Sequence, residues 1–120
     1  MTDHKREGSQ HRSALEKIAK NPSLIGINGN IVGICIEKKL FDYKRGVRYT
    51  IAEPDIIFEM SDGRVIIVEY KNNGHRIKSG EAQTQLNRTC LWYGRYTLVP
   101  AEKIITIPID GDSYPFLKKK

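Results

Sequence analysis

Apolar positions along the chain fall into short runs whose period changes from helical to strand-like and back. Leu15, Ile18 and Ala19 recur at helical spacing. Ser13 and Glu16 stand at capping-box separation, so a first helix is predicted from Ser13 to Lys20. A start near Ser9 is the alternative and would place Glu16 in the helix interior. Asn21-Pro22 stops this helix. A Gly/Asn-rich turn over 26–30 leads into a strand predicted from Ile31 to Lys39. Asp42-Tyr43-Lys44-Arg45-Gly46 reads as a basic turn joining antiparallel strands. The next strand runs from Val47 to Phe58, bent near Pro54, because proline donates nothing to a sheet ladder. Ser61-Asp62-Gly63 is a hairpin signal. The third strand, Arg64 to Lys71, is apolar on both faces until its last three residues, which marks it as central and covered.

Residues 72–80 read as a flexible basic loop. A second helix follows from Glu81 to Trp92 or Tyr93, with Ala82, Leu86 and Cys90 as its apolar stripe and Gly94 as its end. Tyr96–Val99 and Ile104–Ile107 form one broken strand or two short ones. Residues 1–12 are expected as a mobile basic tail and 118–120 as a basic tail, leaving a single domain over 13–117. A helical crossover makes the final strands parallel to the third. The expected class is α/β, a mixed central sheet of four to five strands flanked by helices.

Composition narrows the setting. A chain of 120 residues is one domain, and 39% hydrophobic with 28% charged residues excludes collagen-like, coiled-coil and wholly disordered classes. Twenty Lys+Arg against fourteen Asp+Glu give a net charge of +6, which suits a polyanionic partner. No apolar run approaches membrane-spanning length, and Met1–Glu7 lacks the apolar stretch of a signal peptide, so an intracellular protein without a membrane partner is expected. Its compartment would be the cytoplasm, the nucleoid, or the host cell for a viral protein. Cys35 and Cys90 lie far apart in sequence and are expected as free thiols rather than a metal or redox pair.

The charges that stand out interrupt an apolar pattern. Asp55 sits between Pro54 and Ile56-Ile57-Phe58, while Glu69 and Lys71 follow Val65-Ile66-Ile67-Val68. Side chains alternate along a strand, so Glu69 and Lys71 share a face. The hairpin at 61–63 folds the two strands together and brings Asp55 toward Glu69 at the end remote from the turn. Two carboxylates and one ammonium at a sheet edge are costly to half-bury without compensation. A hard divalent cation such as Mg²⁺ compensates them, and the set then suits metal-assisted phosphodiester hydrolysis.

Pro54-Asp55 followed by Glu69-Tyr70-Lys71 resembles the PD-(D/E)XK signature of the restriction-endonuclease-like nucleases. Two neighbours within that superfamily suit so short a chain: archaeal and viral Holliday-junction resolvases, and virus-type replication-repair nucleases. The Ser/Gly-rich stretch that precedes the aspartate in the resolvases is replaced here by Arg48–Glu53. The resemblance implies a restriction-endonuclease-like core in αβββαβ order and a Mg²⁺-dependent DNA endonuclease, with Mn²⁺ as a substitute ion. Branched or junction DNA is the implied structure-selective substrate. Asp55, Glu69 and the Tyr70 carbonyl would hold the metal, and Lys71 would orient the attacking water. Glu16 would be the additional acid from the first helix, holding a second metal or ordering a water, with Glu53 as its alternative. Gln85, or alternatively Gln83, would support the site. A catalytically inactive nucleic-acid-binding module of the same fold is the competing reading.

Lys44, Arg45 and Arg48 at a hairpin tip, Arg76 and Lys78 in the basic loop, and Arg88 on the second helix are candidate DNA contacts; for the hairpin tip a solvated turn is the equal alternative. His75 reads as a solvent-exposed loop residue, and Trp92 and Tyr93 as core or dimer contacts. A chain this small surrounds one active site, and cutting both DNA strands takes two, so a homodimer is expected.

Overall fold

The computed structural model of the chain describes residues 2–118, with side chains described for 10–75 and 77–118. Its architecture follows from the strand β5, Val65–Lys71, all seven of whose residues are buried. A strand covered on both faces needs neighbours at both edges and a layer above and below. β4 (Ile56–Met60) pairs with it antiparallel, and β6 (Ile104–Asp110) pairs with it parallel. β1 (Ile31–Ile36) completes a four-stranded mixed sheet in the order β1-β4-β5-β6. The fold is therefore α/β.

Alternation along the strands supplies each face with its own core. Ile56, Phe58, Ile66, Val68 and Tyr70 pack against Ala14, Leu15 and Ile18 of α1, Thr2–Lys20. On the other face Ile57, Val65 and Ile67 meet Leu86 and Tyr93 of α3, Glu81–Tyr96. α3 is the crossover that makes β6 parallel to β5. Cys35 and Cys90 are free thiols, both packed against this second core.

Several boundaries differ from the sequence pattern, each for a local reason. The helix expected from Ser13 begins at Thr2, so residues 2–12, expected as a tail, continue it and Ser13 lies within it. The strand expected over 31–39 ends at Ile36, where Glu37 takes the left-handed φ of 52° and turns the chain. It resumes as β2, Leu40–Lys44, which pairs with β3, Val47–Ala52, in a separate two-stranded sheet turned at Arg45-Gly46. The strand expected from Val47 to Phe58 is thus two strands in two sheets, parted at Glu53-Pro54-Asp55, because Pro54 has no N–H for a ladder.

The loop over 72–80 contains a short helix, α2, Gly74–Lys78. α3 continues through Gly94 to Tyr96, and the expected strand at Tyr96–Val99 does not form. Arg95 and Tyr96 both bond the buried Asp42 of β2, so a tertiary anchor outweighs the helix-ending tendency of glycine. Trp92 Nε1–H also donates to the Phe41 carbonyl, 3.0 Å, and fastens the β2–β3 hairpin across α3. β6 extends past Ile107 to Asp110 and includes Pro108, tolerated because this strand is an edge of the sheet. Among the described residues no helix is long and apolar enough to cross a membrane.

Ile67 is fully buried in the central strand, so Ile67→Ala is expected to lower the unfolding free energy by about 2–5 kcal/mol. Val32, 65% exposed on β1, is the control, and Val32→Ala should change it by less than about 0.5 kcal/mol. Urea denaturation followed by circular dichroism measures both.

Candidate functional site

The register of β4 on β5 pairs Ile57 with Ile67 and Ile56 with Val68, so one further step sets Asp55 against Glu69. Two hydrogen bonds lock that step. The Asp55 N–H donates to Glu69 Oε1 at 3.0 Å, and the Tyr70 N–H donates to Asp55 Oδ2 at 2.7 Å. Asp55 is also reached from α1, whose His11 Nε2–H donates to Asp55 Oδ1 at 3.0 Å. The imidazole lies 5.7 Å from the Tyr70 ring, on the α1 side of the sheet. Next to His11, Arg12 Nη1 donates to Glu37 Oε1 at 2.9 Å, and the Glu37 N–H donates to the Asp55 carbonyl at 2.9 Å. The left-handed turn at Glu37 and the break at Pro54 are therefore joined to one another.

These groups border an open cavity of about 380 Å³. β5 contributes Glu69 and Lys71, α3 contributes Gln85 and Arg88, and α1 contributes His11. The remaining wall is Glu37, Asp55 and the end of the hairpin, Thr50 to Glu53. Asp55, Glu69 and Lys71 are all buried, an unusual condition for three ionisable side chains unless each is compensated. Burial, and then the neighbouring Asp55 charge, push the Glu69 carboxyl up from 4.5 to about 8. The Asp55 N–H and the Lys71 and His11 charges act in the opposite direction without overcoming them. The His11 imidazole is raised above its usual value, chiefly by its hydrogen bond to Asp55, against the opposing effect of burial.

Of the residues singled out by pattern, Asp55, Glu69, Lys71, Gln85 and Arg88 come together around this cavity. Glu53, the alternative additional acid, lines it as well. Glu16 does not: it is exposed on α1, and His11 takes the place at the cavity expected for it. The reason is helical phase. His11 precedes Ala14 and Leu15 by three and four positions, so it continues their buried stripe toward the sheet edge, and Glu16 lies off that stripe. Gln83 is also away from the cavity and donates to Asn87 Oδ1 on the exposed side of α3. Tyr70 meets the site through its backbone, since its ring belongs to the α1-side core.

Lys44 and Arg45 border a different hollow, of about 450 Å³, at the hairpin tip. Lys78 and His75 are exposed on α2, and the Arg76 side chain lies outside the described residues. Sequence pattern alone missed His11 and Glu37. His11 was legible in principle as the next position of the Leu15 stripe; Glu37 had no signal, since its place depends on a turn.

Two oxygen-donor carboxylates in a pocket that raises one of them to about 8 suit a divalent cation, because bound positive charge would relieve their repulsion. Among the described residues no three His, Cys, Asp or Glu side chains are grouped to hold a metal. Mg²⁺ is ordinarily held by one or two carboxylates with water in its other positions, which is the donor number available from Asp55 and Glu69. Compared with protein-family models, with curated proteins and with solved structures, the chain matches none.

The raised Glu69 sets the sign of a pH dependence. Between 4.5 and about 8 the folded chain holds a proton on Glu69 that the unfolded chain has released. The stabilisation this proton provides is complete at acid pH and is lost as pH rises through the folded value. Metal-free protein should therefore melt at a lower temperature at pH 8 than at pH 5, and Glu69→Gln should flatten that slope. Thermal melts in chelator across this range measure it, and an equal slope in the variant counts against the assignment.

Proposed function

We propose that the chain is a Mg²⁺-dependent DNA endonuclease with a restriction-endonuclease-like core. The observation that carries this reading is the convergence of Asp55, Glu69 and Lys71 on one open cavity, with both carboxylates held in place by backbone N–H groups. The element order supports it. With the β2–β3 hairpin and the short α2 set aside as insertions, α1, β1, β4, β5, α3 and β6 follow the αβββαβ sequence that the resemblance implies.

Asp55 and Glu69 would hold the cation, with the Tyr70 carbonyl as a third oxygen. When bound, it supplies positive charge to the scissile phosphate and makes water more acidic. The chain's own residues do the rest. Lys71, on the same strand face as Glu69, lines the cavity, and its ammonium would orient the attacking water and stabilise the charge that builds on phosphorus. Gln85 and Arg88 border the cavity from α3 and take phosphate oxygens. His11 holds one Asp55 oxygen and so positions the acid. Water adds to phosphorus, a sugar oxygen leaves with a proton, and one phosphodiester is exchanged for a phosphate end and a hydroxyl end. A second copy of the chain would cut the opposite strand.

Assays on plasmid, single-stranded, flap and four-way-junction DNA test the reading. Cleavage is expected with Mg²⁺ or Mn²⁺ and none in chelator. Lys71→Ala and Glu69→Gln should each lower the rate by at least about 100-fold, the usual cost of removing a group that stabilises developing charge. Cleavage by either variant at the wild-type rate would exclude the assignment. DNA binding that is indifferent to chelator, without cleavage of any substrate, would favour the inactive binding module.

A further inference from the structure

The β2–β3 hairpin rises from the rim of the cavity, and its two faces differ. Cross-strand partners share a face, so Phe41, Thr50, Tyr43 and Arg48 lie on one side and Asp42, Tyr49, Lys44 and Val47 on the other. The Asp42 side is accounted for near its base, where Arg95 and Tyr96 of α3 bond the Asp42 carboxylate. The Phe41 side is continuous with the candidate site, because Thr50 lines the cavity that holds Asp55 and Glu69.

Arg48 leans along that side, its guanidinium carbon 4.3 Å from the centre of the Phe41 ring. Phe41 is the cross-strand partner of Thr50, so this stacking draws the cation from the tip back toward the cavity. Among the described residues no carboxylate pairs with Arg48. A guanidinium stacked on one face keeps its N–H edge for a phosphate. Beyond it Tyr43 is 60% exposed, an aromatic surface presented to solvent on the same side.

We propose that the Thr50–Arg48–Tyr43 side of the hairpin is a track for the DNA strand leaving the cavity. Arg48 takes a backbone phosphate, and Tyr43 stacks an unpaired base. The occupant is a single strand or a single-stranded flank, since a base locked in a duplex offers no free face to Tyr43. This inference rests on the nuclease reading and adds to it the form of DNA and the path it follows.

Fluorescence anisotropy with a labelled single-stranded oligonucleotide tests it, in the full chain carrying Glu69→Gln so that the probe stays intact. Tyr43→Ala and Arg48→Ala are each expected to weaken binding at least about fivefold, and Tyr43→Phe to retain it, because stacking needs only the ring. Arg48→Ala should also lower the slope of log affinity against log salt by about 0.7, the loss of one single-strand phosphate contact. Val47→Ser, on the opposite side, should stay within about twofold of the parent, since it faces away from the track. Wild-type affinity in Tyr43→Ala and Arg48→Ala, or an equal loss in Val47→Ser, overturns the track. These residues are exposed, and circular dichroism melts separate loss of binding from loss of fold. Wild-type protein that cuts DNA while these variants bind normally removes only the track, whereas wild-type protein that cuts no DNA removes the nuclease reading itself.

Discussion

Two carboxylates taken out of water beside one another repel, and each loses hydration. A fold that keeps them must supply donors or a counter-charge. Here the backbone supplies the donors. Asp55 gives its N–H to Glu69, and the residue after Glu69 gives its own N–H to Asp55. Neither carboxylate can shift without breaking a bond made by the other's strand. The site is thus a continuation of the β4–β5 ladder in which side-chain oxygens stand where carbonyls would otherwise accept.

That continuation explains why the surrounding breaks fall where they do. Pro54 ends the ladder of β3 and lets the chain change sheets immediately before Asp55. Glu37 turns the chain at the end of β1, and its N–H takes the Asp55 carbonyl. The sheet edge is closed on one side by α1, through His11 and Arg12, and bordered on the other by α3, through Gln85 and Arg88. Each face of the sheet contributes one helix to the cavity, so the site is as stable as the two cores behind it.

The hairpin depends on a second buried acid. Asp42 accepts from the Tyr43 N–H, from Arg95 and from Tyr96, and so ties a two-stranded ribbon, buried only at its base through Leu40, Ile51 and Ala52, to the end of α3. A free hairpin of this length would be marginal, and the anchor gives one of its sides a constant relation to the cavity. The same contact carries α3 past Gly94.

Much of this was legible in the chain itself. The apolar run ending in Glu69-Tyr70-Lys71 marked the central strand, the Ser61-Asp62-Gly63 turn implied that Asp55 would meet Glu69, and the Leu86 stripe located the crossover helix. These are local periodicities, and short-range patterns carry them without reference to the rest of the chain. The replacement of Glu16 by His11, the arrival of Glu37, the division of Val47–Phe58 between two sheets and the extension of α3 were decided by tertiary structure. Each depends on a partner far away in sequence: a helix whose phase is set by the sheet it covers, a turn held by Asp55, and a helix end anchored by Asp42. The sequence by itself determined which residues must be hidden and which strands must pair. Only packing decided which polar side chain reaches the hidden acids, because that depends on the rotation and length of elements and not on the spacing within them.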